Sequence, residues 1–273
     1  MHNVTAAVNA WFAAGADAVA LATVERTWGS SPLPVGSAMA VAPDGAFAGS
    51  VSGGCVEATV VEAARALLAE RGASRRLAFD VADETAWSVG LACGGRLEVT
   101  IARLTPDAWR DAERALEPPP LLVLVGAGEI AVVLARLARV LGRRVVVVDP
   151  RRAFATAERF PDVDALVHAS PATAVAALDV DATAAIVVLS HDPKLDDPAL
   201  EAALRGPAGY IGALGGRTTQ AARRNRLRAA GWAERDLDRI HGPVGLDLGA
   251  RTPAEIAVSI LAQIIAVARA ASP

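Results

Sequence analysis

The chain has 273 residues, of which 53% are hydrophobic and 21% charged, with a formal net charge of −3. That length suits one or two domains of roughly 100–200 residues each, and the apolar content excludes a disordered chain. A slightly acidic balance, with pI near 5.8, gives no electrostatic footprint for nucleic acid or an anionic membrane.

In chain order, residues 4–14 form an Ala-rich amphipathic stretch closed by Gly15, and residues 18–25 suit a strand. Residues 28–36 are too rich in Gly and Pro for regular structure. Strands over 38–42 and 46–51 flank Pro43-Asp44-Gly45, a good hairpin turn. Ser52-Gly53-Gly54 then leads through Cys55 into a predicted helix of about 16 residues, where Val56, Val60, Ala63, Ala64 and Leu67 recur at helical spacing. Strands near 76–81 and 96–103 flank a second glycine loop, Cys93-Gly94-Gly95. The run Glu117-Pro118-Pro119-Pro120 can neither continue a helix nor join a sheet interior, and reads as a stiff linker. It divides the chain into an expected mixed α/β domain over residues 1–117 and a second domain over 118–273.

The second half alternates strand and helix. Leu121-Leu-Val-Leu-Val125 is a continuous apolar run of the kind buried on both faces of a parallel sheet. A helix to Leu141, a strand over 145–148 ending at Asp149, and further strands over 165–168, 185–189 and 208–211 follow. A last helix spans 253–270, with Pro253 suited to its first turn. This alternation predicts a doubly wound, Rossmann-like parallel sheet.

Gly126-x-Gly128-x-x-Ala131 lies where a dinucleotide fingerprint works, between a strand and a helix. The first glycine allows the tight turn, the second lets backbone approach a phosphate, and the small third residue lets helix and strand pack. Asp149, at the end of the next strand, is placed to accept from a ribose hydroxyl. NAD(P) or another nucleotide is thus a candidate ligand, although the fold by itself does not decide occupancy. His191, after a strand end, reads equally as an acid/base group for such a cofactor or as a loop histidine. The sole tyrosine, Tyr210, and the sole lysine, Lys194, lie in unrelated segments, which closes the short-chain dehydrogenase route. Hydrolase and kinase motifs are absent from the sequence.

Two cysteines, Cys55 and Cys93, exclude a disulfide scaffold and a four-cysteine zinc site. Each neighbours a glycine pair, and consecutive N–H groups in such loops can point into one anion-binding concavity. Cys55 falls near a helix N-terminus, a position that favours a reactive thiol. A thiol beside an amide-lined hollow suits a soft metal centre, sulfur transfer or an anionic cofactor; the alternative is two buried cysteines acting as small apolar residues. Glu57 and Glu98, nearby in sequence, read as polar partners of these loops or as ordinary surface acids, the surface reading being preferred. No apolar run reaches the ~18–20 residues of a membrane span, since Ser259 and Gln263 interrupt the best candidate. The first residues have no basic-then-apolar leader pattern, so a soluble cytoplasmic protein is expected.

Several blocks resemble the XdhC/CoxI family. They are Gly29-Ser-Ser-Pro32, Gly49-Ser-Val-Ser-Gly-Gly-Cys-Val-Glu57 and Cys93-Gly-Gly95 in the first half. In the second half they are Val148-Asp-Pro-Arg151, Ser190-His-Asp-Pro-Lys-Leu-Asp-Asp-Pro-Ala-Leu200, Tyr210-Ile-Gly-Ala-Leu-Gly215, Pro243-Val-Gly-Leu-Asp-Leu-Gly-Ala250 and Thr252-Pro-Ala-Glu-Ile-Ala-Val-Ser-Ile260. The resemblance implies a maturation chaperone that binds the molybdenum cofactor (a molybdopterin), supports its sulfuration, protects it and inserts it. The implied recipient is an apo molybdenum hydroxylase of xanthine dehydrogenase or carbon monoxide dehydrogenase type. A cysteine desulfurase or cofactor nucleotidyltransferase is a further implied partner, and a homodimer is compatible. By the same resemblance Cys55 and Cys93 are the sulfur- or molybdenum-contacting residues, with Ser52, Gly53, Gly54, Gly94 and Gly95 around the cofactor. Gly126, Gly128, Ala131, Asp149 and His191 are the candidate nucleotide contacts. The alternative is a nicotinamide-dependent oxidoreductase or a nucleotide- or redox-sensing protein. The chain departs from the family pattern at Leu33, where a basic residue is common, and at Glu129, where His or Asp is common. It departs again over Gly215-Gly216-Arg217-Thr218-Thr219, where Gly-Ser-Arg-Arg-Thr is usual and only Arg217 of the arginine pair is kept.

Overall fold

The computed structural model describes residues 2–29, 33–80, 96–115 and 119–271. The chain divides into two units, Met1–Pro118 and Pro119–Pro273. In the first, strands β1 (Val19–Trp28), β2 (Ala38–Val41), β3 (Phe47–Gly49), β4 (Ser74–Asp80) and β5 (Arg96–Leu104) form an antiparallel sheet in the order β3-β2-β1-β5-β4. Alternation along each strand assigns its two faces. Ala20, Ala22, Val24, Met39 and Val41 point to a core closed by Val60, Ala64 and Leu67 of helix α2 (Glu57–Ala69) and by Val56 at its N-cap. Val19 and Ala40 face the other way, onto Val4 and Val8 of α1 (His2–Ala13) and Trp109 of α3 (Pro106–Ala115). Asn9 ties these two helices: Trp109 Nε1 donates to its Oδ1 at 2.7 Å, and its Nδ2 donates to Glu113 at 2.9 Å.

The second unit is a six-stranded parallel sheet. Its strands are β6 (Leu121–Val125), β7 (Arg144–Val148), β8 (Ala165–Val167), β9 (Ala185–Val188), β10 (Tyr210–Ala213) and β11 (Ile240–His241), ordered β11-β10-β9-β6-β7-β8. Helices cover both faces. Leu122 and Leu124 pack under α4 (Glu129–Val140) and α9 (Pro253–Ala270). Leu121, Val123 and Val125 pack under α5 (Pro171–Ala177), α6 (Pro193–Arg205) and α7 (Arg217–Ala229). A short helix, α8 (Glu234–Leu237), precedes β11. The doubly wound fold expected from the alternation is therefore present.

Helix α9 begins with a capping box, Thr252 accepting from Glu255 N–H while the Glu255 side chain reaches back. Contrary to the sequence expectation, this helix does have the length and mean hydropathy of a membrane span. Its Ala257, Ile260, Leu261 and Ile264 nevertheless pack onto the sheet, while Val258 and Ile265 are 50% and 42% exposed.

The strand order reverses between β6 and β9, so the loops after these two strands flank the crevice where such sheets bind ligands. The two loops touch: a Cβ on Gly126, which has φ +99°, would lie 2.8 Å from Ser190 N. The ends of β9 and β10 are held by a buried network. Ser190 Oγ donates to Asp196, and Arg223 Nη2 donates to the other Asp196 oxygen at 2.9 Å and to Leu214 O at 3.1 Å. Gln220 accepts from Arg223 at 2.6 Å and donates to Ala213 O and Gly215 O at 2.8 and 3.0 Å. Removing one member strands the other as a buried charge. Asp196→Ala is expected to cost about 3–5 kcal/mol, whereas Arg224→Ala, on an ion pair at the surface, costs under about 1 kcal/mol; urea unfolding of the two variants measures the difference.

Candidate functional site

The loop of residues 50–56 carries the first candidate thiol at the head of α2. Cys55 is exposed and free, two residues before the helix starts at Glu57. Gly53 and Gly54 take φ values of +81° and +118°, a region that side chains disfavour, and the backbone curls inward. The concavity expected from the glycine pair exists, but the chain fills it. Glu57, expected on the surface, is only 8% exposed and its carboxylate occupies the hollow. Oε1 accepts from Ser50 Oγ, from Val51 N at 3.2 Å and from Ser52 N at 2.9 Å. Oε2 accepts from Ser52 Oγ at 2.6 Å, Gly54 N at 2.9 Å and Val56 N at 3.1 Å. The remaining amides go to the two serines, Gly53 N to Ser50 Oγ at 2.8 Å and Cys55 N to Ser52 Oγ at 2.9 Å.

Burial alone would raise the Glu57 carboxyl. The donors from Ser50, Ser52 and the backbone outweigh it and hold the group at about 2, against an ordinary 4.5. Glu98, the other acid read as exposed, is half-buried on β5. Cys93, Gly94 and Gly95 lie outside the described residues, as do Ser30, Ser31 and Pro32 of the Gly29 block. Among the described residues no group of three His, Cys, Asp or Glu side chains converges as a metal site.

In the second unit the fingerprint residues come together at the crevice, with altered roles. Ala131 is fully buried on the sheet-facing side of α4, and Gly126 is closed off by Ser190. Gly128 alone keeps open space where a Cβ would stand. Asp149 is 0% exposed and uses both oxygens. Oδ2 accepts from Ala127 N at 2.9 Å and Arg151 Nη2 at 2.8 Å. Oδ1 accepts from Arg151 N and Nε, both at 2.9 Å. Burial would raise this carboxyl, but the Arg151 side chain and the Ala127 amide hold it below its usual range.

Arg151 also lies 4.2 Å over the Phe154 ring. Arg159 clamps the glycine loop from outside, donating to Ala127 O at 2.7 Å and pairing with Glu129 at 2.7 Å. A ribose diol would have to displace Arg151 from Asp149, and the Glu129–Arg159 pair occupies the helix end where a pyrophosphate would sit. With Asp149 engaged in this way, nothing in the crevice supports an NAD-type ligand. His191 is exposed at the end of β9 with φ +62°, and Gly216 caps α7 in an extended conformation.

Sequence reasoning preferred the surface for Glu57, which is buried, and did not single out the Asp196–Arg223 pair. The only signal for Glu57 was its spacing after two serines and two glycines.

Both units match known proteins. The family model described as the XdhC Rossmann domain matches residues 122–264, and that of the XdhC and CoxI family matches residues 12–80. The chain is 34% identical to the uncharacterised protein YqeB of Escherichia coli K12 over 91% of its own length, though it spans only 43% of that protein. It is 28% identical to a probable xanthine dehydrogenase subunit of Bacillus subtilis, covering 90% of this chain and 92% of the relative. It is 27% identical to the molybdenum cofactor insertion chaperone PaoD of Escherichia coli K12, covering 90% and 82%. A crystal structure described as a xanthine dehydrogenase from Bacillus halodurans shares the fold, with a TM-score of 0.83, 22% identity, and 99% and 97% of the two chains covered.

Two predictions arise from the carboxylates. Because folding depresses the Glu57 pKa, its contribution is present above pH 4.5 and is lost as pH falls towards 2. Wild type is thus expected to lose on the order of 3 kcal/mol over that window, and Glu57→Gln to show a flatter acid limb in pH-dependent thermal melts. For Asp149, calorimetric titration with NAD is expected to give no saturation in wild type and measurable binding in Arg151→Ala, which frees the carboxylate; tight binding by wild type would contradict the closed crevice.

Proposed function

This chain belongs to the XdhC and CoxI family, and from that membership we propose that it is an accessory protein of a molybdenum hydroxylase, binding the molybdenum cofactor and inserting it into the apoenzyme. The observation that carries the reading is the exposed Cys55, offered outward from a loop whose backbone amides and serine hydroxyls are engaged inward. Thiolate is a soft donor suited to a metal with sulfur ligands. Insertion also needs a protein that holds its cargo and lets it go, and a single outward thiol does so more readily than a closed cage of ligands.

Cys55, with Cys93 of the second glycine loop, contacts the cofactor or carries sulfur during its sulfuration, with a cysteine desulfurase or cofactor nucleotidyltransferase as an upstream partner. Gly94 and Gly95, next to Cys93 in sequence, are the accompanying cofactor contacts on this reading. The recipient is of xanthine dehydrogenase type, as the name of the Bacillus subtilis relative suggests, with a carbon monoxide dehydrogenase type as the alternative. Residues 1–117 and 118–273 act as the two domains, in the cytoplasm. Self-association would use the outer face of α9, where Val258 and Ile265 are exposed. A nicotinamide oxidoreductase is the less favoured reading, since Asp149 is already spent on Ala127 and Arg151.

The test is anaerobic titration of the purified chain with molybdenum cofactor, separating bound from free by rapid gel filtration. Wild type is expected to retain the cofactor, and Cys55→Ala to lose it while keeping its melting temperature. Equal retention by Cys55→Ala/Cys93→Ala would sink the thiol role.

A further inference from the structure

We infer that Glu57 is the positioning residue for the Cys55 thiol, its carboxylate acting as a built-in anion around which the loop of residues 50–56 is wound. The inference rests on the reading of Cys55 as the cofactor-facing thiol, but its geometry stands alone. Every backbone N–H from Val51 to Val56 is directed inward. Those of Val51, Ser52, Gly54 and Val56 reach Glu57 itself, and those of Gly53 and Cys55 reach it through the hydroxyls of Ser50 and Ser52. Each hydroxyl in turn donates to a Glu57 oxygen. Six donors on one carboxylate saturate it, and charge-assisted bonds of this type are the strong ones.

Successive amides pointing to one centre make an anion nest. Here the anion is covalently part of the chain, at the first position of the helix that follows. Two consequences come from this. The loop offers no spare amide to an outside phosphate, so an anionic part of a cofactor is held by other groups. With Val51, Ser52, Val56 and Glu57 all buried, the one reactive side chain the loop turns outward is that of Cys55. Losing the carboxylate would leave a ring of buried donors without an acceptor and release the loop.

The experiment compares wild type, Glu57→Gln, Glu57→Ala and Val60→Ala. Val60 is a fully buried core residue of the same helix, and its truncation weakens the unit without touching the nest. The first readout is amide hydrogen exchange over residues 51–56, and the second is retention of molybdenum cofactor. Glu57→Gln puts an amide NH2 among donors, so these amides are expected to exchange at least about tenfold faster. Cofactor affinity is expected to fall roughly 10–100-fold, as for loss of a group that orients a metal ligand.

In Glu57→Ala, formate at about 100 mM is expected to refill the nest and restore both protection and affinity, with no effect on wild type. Val60→Ala is expected to melt earlier yet keep protection in the loop. Unchanged exchange in Glu57→Gln, or no response of Glu57→Ala to formate, overturns the positioning role. If wild type itself retains no cofactor, the reading of Cys55 fails, while exchange and formate rescue still decide the nest.

Discussion

A buried backbone N–H must find an acceptor, and in this chain carboxylates of the same unit, local in sequence for Glu57 and one strand away for Asp149, supply it at the places where function is sought. Glu57 serves the loop before α2, and Asp149 serves the glycine loop before α4. Asp164 does the same at the start of β7, accepting from Val145 N at 2.7 Å and from Arg139 at 2.8 Å. The pattern has a physical basis. An orphaned buried amide costs on the order of 1–3 kcal/mol, and a carboxylate can accept several donors at once. A loop rich in glycine presents many donors in a small volume, so it requires either an external anion or an internal one. Both glycine loops seen here use an internal one.

That choice explains which parts of the architecture were legible in the sequence. The parallel sheet was readable because its strands are buried on both faces, which forces continuous apolar runs such as residues 121–125. The capped terminal helix was readable because Thr252, Pro253 and Glu255 each suit one position of a helix start. Helix α3 escaped notice because only Trp109 and part of its inner face touch the core, leaving the rest polar, although Thr105-Pro106-Asp107 is a serviceable start signal. Glu57 could not be assigned from sequence for a different reason. An acid at a helix start is equally at home in water, and only the left-handed turns at Gly53 and Gly54 bring the donors round to it.

The same distinction separates fold from ligand in the second unit. Gly126 is needed, but for the approach of Ser190 rather than of a phosphate. Ala131 is needed small, to seat α4 on the sheet. Asp149 ends β7 as a ribose-binding acid would, yet Arg151, two residues on, returns to it in a bidentate pair. A fingerprint therefore tests for the strand–turn–helix geometry first, and for a nucleotide only when the acid is left free.

On the proposed reading, a rigid mount for the thiol has a further advantage. Binding costs free energy for every side chain or loop that must be ordered on contact, about 0.5–1.5 kcal/mol for each flexible group. A loop already ordered by its own carboxylate avoids that cost, so the Cys55 contact is not offset by ordering the loop that carries it. Moderate affinity is what an inserting protein requires, because the cofactor must pass to a recipient that binds it more tightly. Preorganisation of Cys55 by Glu57 therefore suits transfer better than a deeper or more heavily liganded pocket would, since it raises the rate of capture without raising the barrier to release.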